Sequence, residues 1–191
     1  NGISIEGVLN RCLTQLVKEP VQVIGASRTD AGVHAWGNIA VFDTQARMPG
    51  EKFSYALNQR LPEDIRIRDS REVPADFHPR KTDSIKTYEY RILNEEFPNP
   101  VKRLSSTFTY IPLDEKRMRE AALLFVGEHD FKSFCSVNAQ AESTVRTIYS
   151  CDVARAGTEL TIRISGAGFL YNMVRIIAGT PMAVGSGKYP Q

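Results

Sequence analysis

Long apolar runs are missing from this 191-residue chain. A helix that crosses a bilayer needs roughly 20 mainly apolar residues in a row, and a secretory leader needs a basic start before an apolar core. Neither pattern is present, so a cytoplasmic location without a membrane partner is expected. Cysteine is scarce. Cys12, Cys135 and Cys151 are odd in number and far apart, which suggests neither a disulfide framework nor a cysteine zinc site. Reduced, buried small hydrophobes are the expectation. His34, His78 and His129 have no ligand spacing, so no metal site is expected. Charge of one sign is also lacking: 24 Lys and Arg stand against 22 Asp and Glu, a net +2. Such a balance does not by itself indicate nucleic acid, although a local basic patch can hold RNA without a large overall charge.

What is present is globular. With 42% hydrophobic and 24% charged residues, the chain has material for one compact domain or two small lobes. Ser4 is a candidate N-cap for a helix whose Ile5, Val8, Leu9, Cys12, Leu13, Leu16 and Val17 recur at three- and four-residue steps. Val21 to Ala26 and Gly37 to Phe42 read as strands. A short helix follows Pro49-Gly50 and closes near Leu61-Pro62, and Asp64 to Arg68 alternates like a strand with one wet side. Ser84 to Ile92 reads as a longer strand that places Lys86, Tyr88, Tyr90 and Ile92 on one face. Further on, Asp114 caps an expected helix with Met118, Ala121, Ala122, Leu124 and Phe125 toward a core and Gly127 at its end. Thr144 to Ala154 and Glu159 to Ser165 form an expected hairpin. Phe169 to Val184 is helix-like, interrupted by Gly179 and Pro181. A helix-strand-strand plan seen twice suggests an α+β fold of two related lobes, 1–97 and 98–191, with the crossing in the turn-rich Asn94 to Pro100.

The octapeptide Arg28-Thr29-Asp30-Ala31-Gly32-Val33-His34-Ala35 sets one acidic side chain in the connection between the first two strands. Loops carried on rigid strands are common places for chemistry, and Gly32 permits a positive φ or a close backbone approach. An isolated Asp-Ala-Gly is most often only a turn. The whole string, however, resembles residue for residue the signature of the TruA family of tRNA pseudouridine synthases, and eight positions in register are far more specific than a short degenerate motif.

The resemblance implies the following. Asp30 corresponds to the family's catalytic aspartate, acting as a covalent nucleophile or as a base that eases departure of uracil. Lys86-Thr87-Tyr88 is similar to the strand whose tyrosine stacks on the target base; on residue type alone Tyr88 is more simply a core aromatic. Phe169-Leu170-Tyr171-Asn172-Met173-Val174-Arg175 resembles the late motif, whose arginine reaches the aspartate through a fork suited to a carboxylate. Phe77-His78-Pro79-Arg80 is similar to a further segment, with Pro79 where a smaller residue is commoner. Arg28, Arg80 and Leu170, with Tyr88, are then expected to bind substrate. The implied fold is the pseudouridine synthase fold, two lobes whose largely antiparallel sheets meet at a central cleft. The implied reaction is isomerisation of uridine in the tRNA anticodon stem-loop, by a homodimer, with neither metal nor organic cofactor required. The chain opens at Asn1 without a methionine and lacks the family's opening strand, as expected of a fragment.

Competing motifs fail on their spacing. Gly166-Ala167-Gly168 has Tyr171 where a dinucleotide fingerprint needs glycine, and Gly185-Ser186-Gly187-Lys188 lacks both the first glycine and the final hydroxyl of a phosphate loop. A nucleoside hydrolase with a loop aspartate and a non-catalytic RNA-binding module are the alternatives from other classes. The first releases free uracil; the second tolerates loss of Asp30.

Overall fold

The computed structural model describes residues 3–137 and 142–189. The chain divides into two compact units, Asn1–Asp83 and Ser84–Gln191.

In the first unit, α1 (Ile5–Val17) begins where its cap signal says: the Ser4 hydroxyl accepts from the Gly7 amide at 3.1 Å. Its Val8, Cys12 and Leu13 join Val21, Val23, Phe53, Leu57 and Leu61 in one core. The extended segments around the octapeptide are much shorter as ladders than their patterns suggest. β1 (Ile24–Gly25) and β2 (Ala40–Val41) pair antiparallel over two rungs only. The reason lies upstream, where side chains of α1 take the donors a partner strand would take. The Val21 amide donates to Thr14 Oγ1 at 3.1 Å and the Val23 amide to Asn10 Oδ1 at 2.8 Å. The short helix after Pro49-Gly50 is α2 (Lys52–Asn58). The expected strand over Asp64 to Arg68 does not form. Asn58 clamps it instead, its amide donating to the Ile67 carbonyl and its Oδ1 accepting from the Ile67 amide, both at 2.8 Å, while Ile65 and Ile67 lean on the core.

The second unit is a five-stranded sheet in the order β4-β3-β7-β6-β5: β3 (Lys86–Asn94), β4 (Thr107–Thr109), β5 (Gly127–Asp130), β6 (Val145–Ala156) and β7 (Glu159–Gly166). Only β3 and β4 run parallel. β6 and β7 make the expected hairpin, turning through Gly157 at φ +62°. β3 pairs with β7 from Lys86 to Leu93, which ties it to the second unit; the compact units therefore divide at 83/84, whereas the sequence pattern places the division at 97/98. The helices α3 (Glu115–Leu123) and α4 (Met173–Gly185) pack on each other, α3 against β6 and α4 against β3. Their Met118, Ala122, Met173, Ile177 and Ala178 close over Ile92, Ile148, Cys151, Val153, Leu160, Ile162 and Ile164.

Three local expectations change. α3 ends at Leu123, so Leu124 is 78% exposed rather than core-facing, and Gly127, at φ +115°, opens β5 instead of closing the helix. α4 starts at Met173, after Asn172 at φ +60°, and runs through Gly179 and Pro181 unbroken. The two-strand part of the repeated plan is a full hairpin in the second unit and a two-rung ladder in the first. All three cysteines are free; Cys12 and Cys151 are buried, and burial pushes the Cys151 thiol up to about 11.

Candidate active site

Asp30 lies in the connection between β1 and β2, as its neighbours in sequence require. It opens a turn whose Val33 amide donates back to the Asp30 carbonyl at 3.1 Å. Gly32 holds the third position at φ +80°, the value a type II turn demands there and one that L side chains avoid. Asp30 is half-buried while Arg28, Ala31, Gly32 and His34 are exposed.

The base of this loop is tied at several points. The Ala26 amide donates to the Ile39 carbonyl at 2.8 Å, and the Asn38 amide group donates to the Ser27 carbonyl at 3.0 Å. Arg80, expected at the substrate, donates its Nε to the Gly25 carbonyl at 2.9 Å. Its first visible partner is thus the loop's own backbone. Arg68 donates to the Trp36 carbonyl at 3.1 Å and sits against that indole. Neither Trp36 nor Arg68 stood out in the sequence, because a single tryptophan and a basic residue far along the chain make no pattern until folding joins them.

In the second unit, Tyr88 faces Ile164 across the ladder and Tyr90 faces Ile162, while on the other side of β7 the partners are Cys151 and Val153. Directly opposed residues share a face, so both tyrosines lie on the side the helices cover, consistent with the period-two reading. Each is half-buried against the core. Phe169 meets Tyr88 edge-on, with ring centroids 5.0 Å apart at 81°. Gly166 makes room for that pair: a Cβ there would come within 2.8 Å of the Thr147 carbonyl oxygen and 3.4 Å of the Phe169 ring. Phe169 belongs to the late motif and opens the helix-like stretch; its contact with Tyr88 is a tertiary one that periodicity does not encode. Tyr90 bonds through its hydroxyl to Thr107 at 2.7 Å, a structural tie.

Leu170 is buried at 7% exposure within the main cluster, and its amide and carbonyl both engage Met173. Arg175 stands in the first turn of α4 with its side chain exposed. The candidate site residues therefore form two sets, one on and against the loop of the first unit (Arg28 and Asp30, with Arg80 bonded to Gly25) and one around the β3–α4 side of the second (Tyr88, Leu170, Arg175). Gly185, the start of the false phosphate loop, ends α4; phosphate is held at helix N-termini, so the geometry agrees with its rejection. Among the described residues, no cluster of three His, Cys, Asp or Glu is arranged to hold a metal ion.

Comparison with known proteins bears on these two sets. Residues 3–80 and 121–191 match a family described as tRNA pseudouridine synthase. The tRNA pseudouridine synthase A of Ruminiclostridium cellulolyticum is 46% identical over 98% of this chain and 77% of its own length. That of Geotalea uraniireducens is 47% identical, and that of Acetivibrio thermocellus 45%, each over 98% of this chain and 77% of the relative. The matched stretches contain the Asp30 turn, Arg80 and the Phe169 to Arg175 motif, and at this identity over nearly the whole chain, the protein belongs to the TruA family of tRNA pseudouridine synthases.

Proposed function

We propose that this chain isomerises uridine to pseudouridine in tRNA, in the anticodon stem-loop, with Asp30 as the catalytic group. The observation that carries the reading is the Asp30 turn: an acid held by a backbone hydrogen bond and a positive-φ glycine, inside a family-matched segment. In the reaction, the bond from N1 of uracil to the ribose C1′ breaks, the detached base rotates, and C5 bonds to C1′. The C5 proton leaves and N1 ends protonated, so there is no change of oxidation state and the residues need supply only nucleophilic and acid-base chemistry.

Asp30 acts as nucleophile or base, and either role requires its carboxylate. Tyr88, braced by Phe169, offers an aromatic face to a flipped uracil and helps remove the C5 proton. Arg175 is assigned the orienting of the Asp30 carboxylate, a role suited to its planar fork of donors. Arg28 and the rest of the Arg80 guanidinium contact RNA phosphate, while Leu170 shapes the floor beside the base. The working form is a cytoplasmic homodimer, which sedimentation of the purified chain tests.

The deciding experiment uses tRNA tritiated at C5 of uridine. Tritium should pass to water while the base stays in the RNA. Release of free uracil would make the protein a hydrolase, and tRNA binding without either product would make it a binding module.

A further inference from the structure

Trp36 is the chain's one tryptophan, and it is 79% exposed on the loop that carries Asp30. An indole left in water forgoes the area burial that usually recommends so large a side chain. Yet it is not loose. The guanidinium of Arg68 lies 6.0 Å from the ring centroid, and the same group donates to the Trp36 carbonyl at 3.1 Å. One cation thus fixes both the backbone and the ring of a residue whose remaining surface faces outward.

We infer that Trp36, backed by Arg68, is a stacking platform for an unpaired base of the RNA substrate other than the target uridine. This rests on the functional reading above. Single-stranded RNA is recognised by stacking splayed bases on aromatic rings and guanidinium planes, and cationic side chains beside the platform draw in the phosphates. The loop has that composition: Arg28, His34 and Asn38 are exposed along it, as is Arg68. An arginine beside a tryptophan also occurs at protein interfaces, so self-association of the chain is made an outcome of the test.

Because no other tryptophan contributes, indole emission reports on Trp36 alone. Titration with an unmodified tRNA anticodon stem-loop should quench it, with a midpoint equal to that found by filter retention. Heparin, which offers charge without bases, should bind and leave the emission unchanged. Trp36→Ala should weaken stem-loop binding about tenfold without altering the salt slope, since no phosphate contact is removed, and Trp36→Phe should retain most of the affinity. Quenching by heparin equal to that by RNA, parental affinity in Trp36→Ala, or a blue shift that follows protein concentration without RNA would each overturn the inference. If tRNA is bound and converted while the emission stays constant, the platform alone is wrong. If tRNA neither binds nor releases C5 tritium, the functional reading fails and takes the platform with it.

Discussion

Replacing Gly32 by alanine isolates the contribution of backbone geometry to the Asp30 turn. A Cβ at Gly32 meets nothing within 4 Å, so packing drops out of the comparison. What remains is the φ of +80°, which costs an L residue about 1–2 kcal/mol. Losing glycine also narrows the unfolded ensemble, an offset of about 0.4–1 kcal/mol, and the net is about 1 kcal/mol against the native turn. That strain is relieved either by unfolding or by local rearrangement. The turn is closed by the Val33–Asp30 backbone hydrogen bond at 3.1 Å and its Ala31 and Gly32 are exposed, so rearrangement is the cheaper route. Gly32→Ala should therefore lower tritium release at saturating tRNA about fivefold while the urea midpoint moves little. Gly32→Asn is the control, because asparagine tolerates the left-handed region, and it should keep most of the activity. Parental turnover in Gly32→Ala, or an equal loss in Gly32→Asn, would refute the argument.

Asp30→Asn should abolish turnover in single-turnover assays and leave tRNA affinity within about twofold, because the amide preserves shape but is a poor nucleophile and base; residual turnover near the parental rate would remove Asp30 from the reaction. Tyr88→Leu should reduce turnover by at least tenfold while Tyr88→Phe keeps the ring and reads the hydroxyl by itself; equal, mild losses would return Tyr88 to the core. Arg80→Ala and Arg80→Lys both forfeit the Nε bond to the Gly25 carbonyl, so kcat should fall in both variants, whereas a change confined to KM would mark Arg80 as an RNA contact only. The Thr44 hydroxyl and then the Gln45 amide hold the Glu19 carboxyl below its ordinary value. A depressed folded pKa contributes stability above the ordinary carboxylate value and loses it as pH falls through the lowered one, so Glu19→Gln should flatten the acid side of a pH-stability curve. An unchanged slope there would reject the link.

The readable parts of the chain are those where local chemistry and tertiary environment agree. Ser4 and Asp114 cap their helices through side-chain oxygens at 3.1 Å, and the period-two face of β3 survives because β7 pairs with it rung by rung. Asp64 to Arg68 misleads because alternation reports which side chains are buried and not what satisfies the backbone. Ile65 and Ile67 do face the core, but the ladder partner is the side chain of Asn58. Val21 and Val23 repeat the case with Thr14 and Asn10. At the candidate site, the turn at Asp30 was legible because Asp30, Gly32 and Val33 are neighbours in sequence. The Tyr88–Phe169 and Trp36–Arg68 pairs were not, since each joins residues far apart in sequence.

The two sets of site residues are held by different physics. Tyr88 sits inside a ladder that continues on both sides of its register, with Ile164 and then Cys151 across from it and a buried cluster behind it. Local opening there would have to break strand pairing and expose core together, which places it near the global stability of the second unit. Asp30 belongs to a loop held by point contacts: two rungs, the Ala26–Ile39 backbone bond, and the Asn38, Arg80 and Arg68 side chains, which donate to carbonyls that no long strand covers. Such contacts can be lost one at a time, so the loop can open at far smaller cost than the sheet. On the proposed function, the base that detaches, rotates and reattaches is held at Tyr88 against a long ladder, a surface that does not move. The proposed acid, Asp30, sits on an anchored loop, which permits an approach and withdrawal without unfolding anything else.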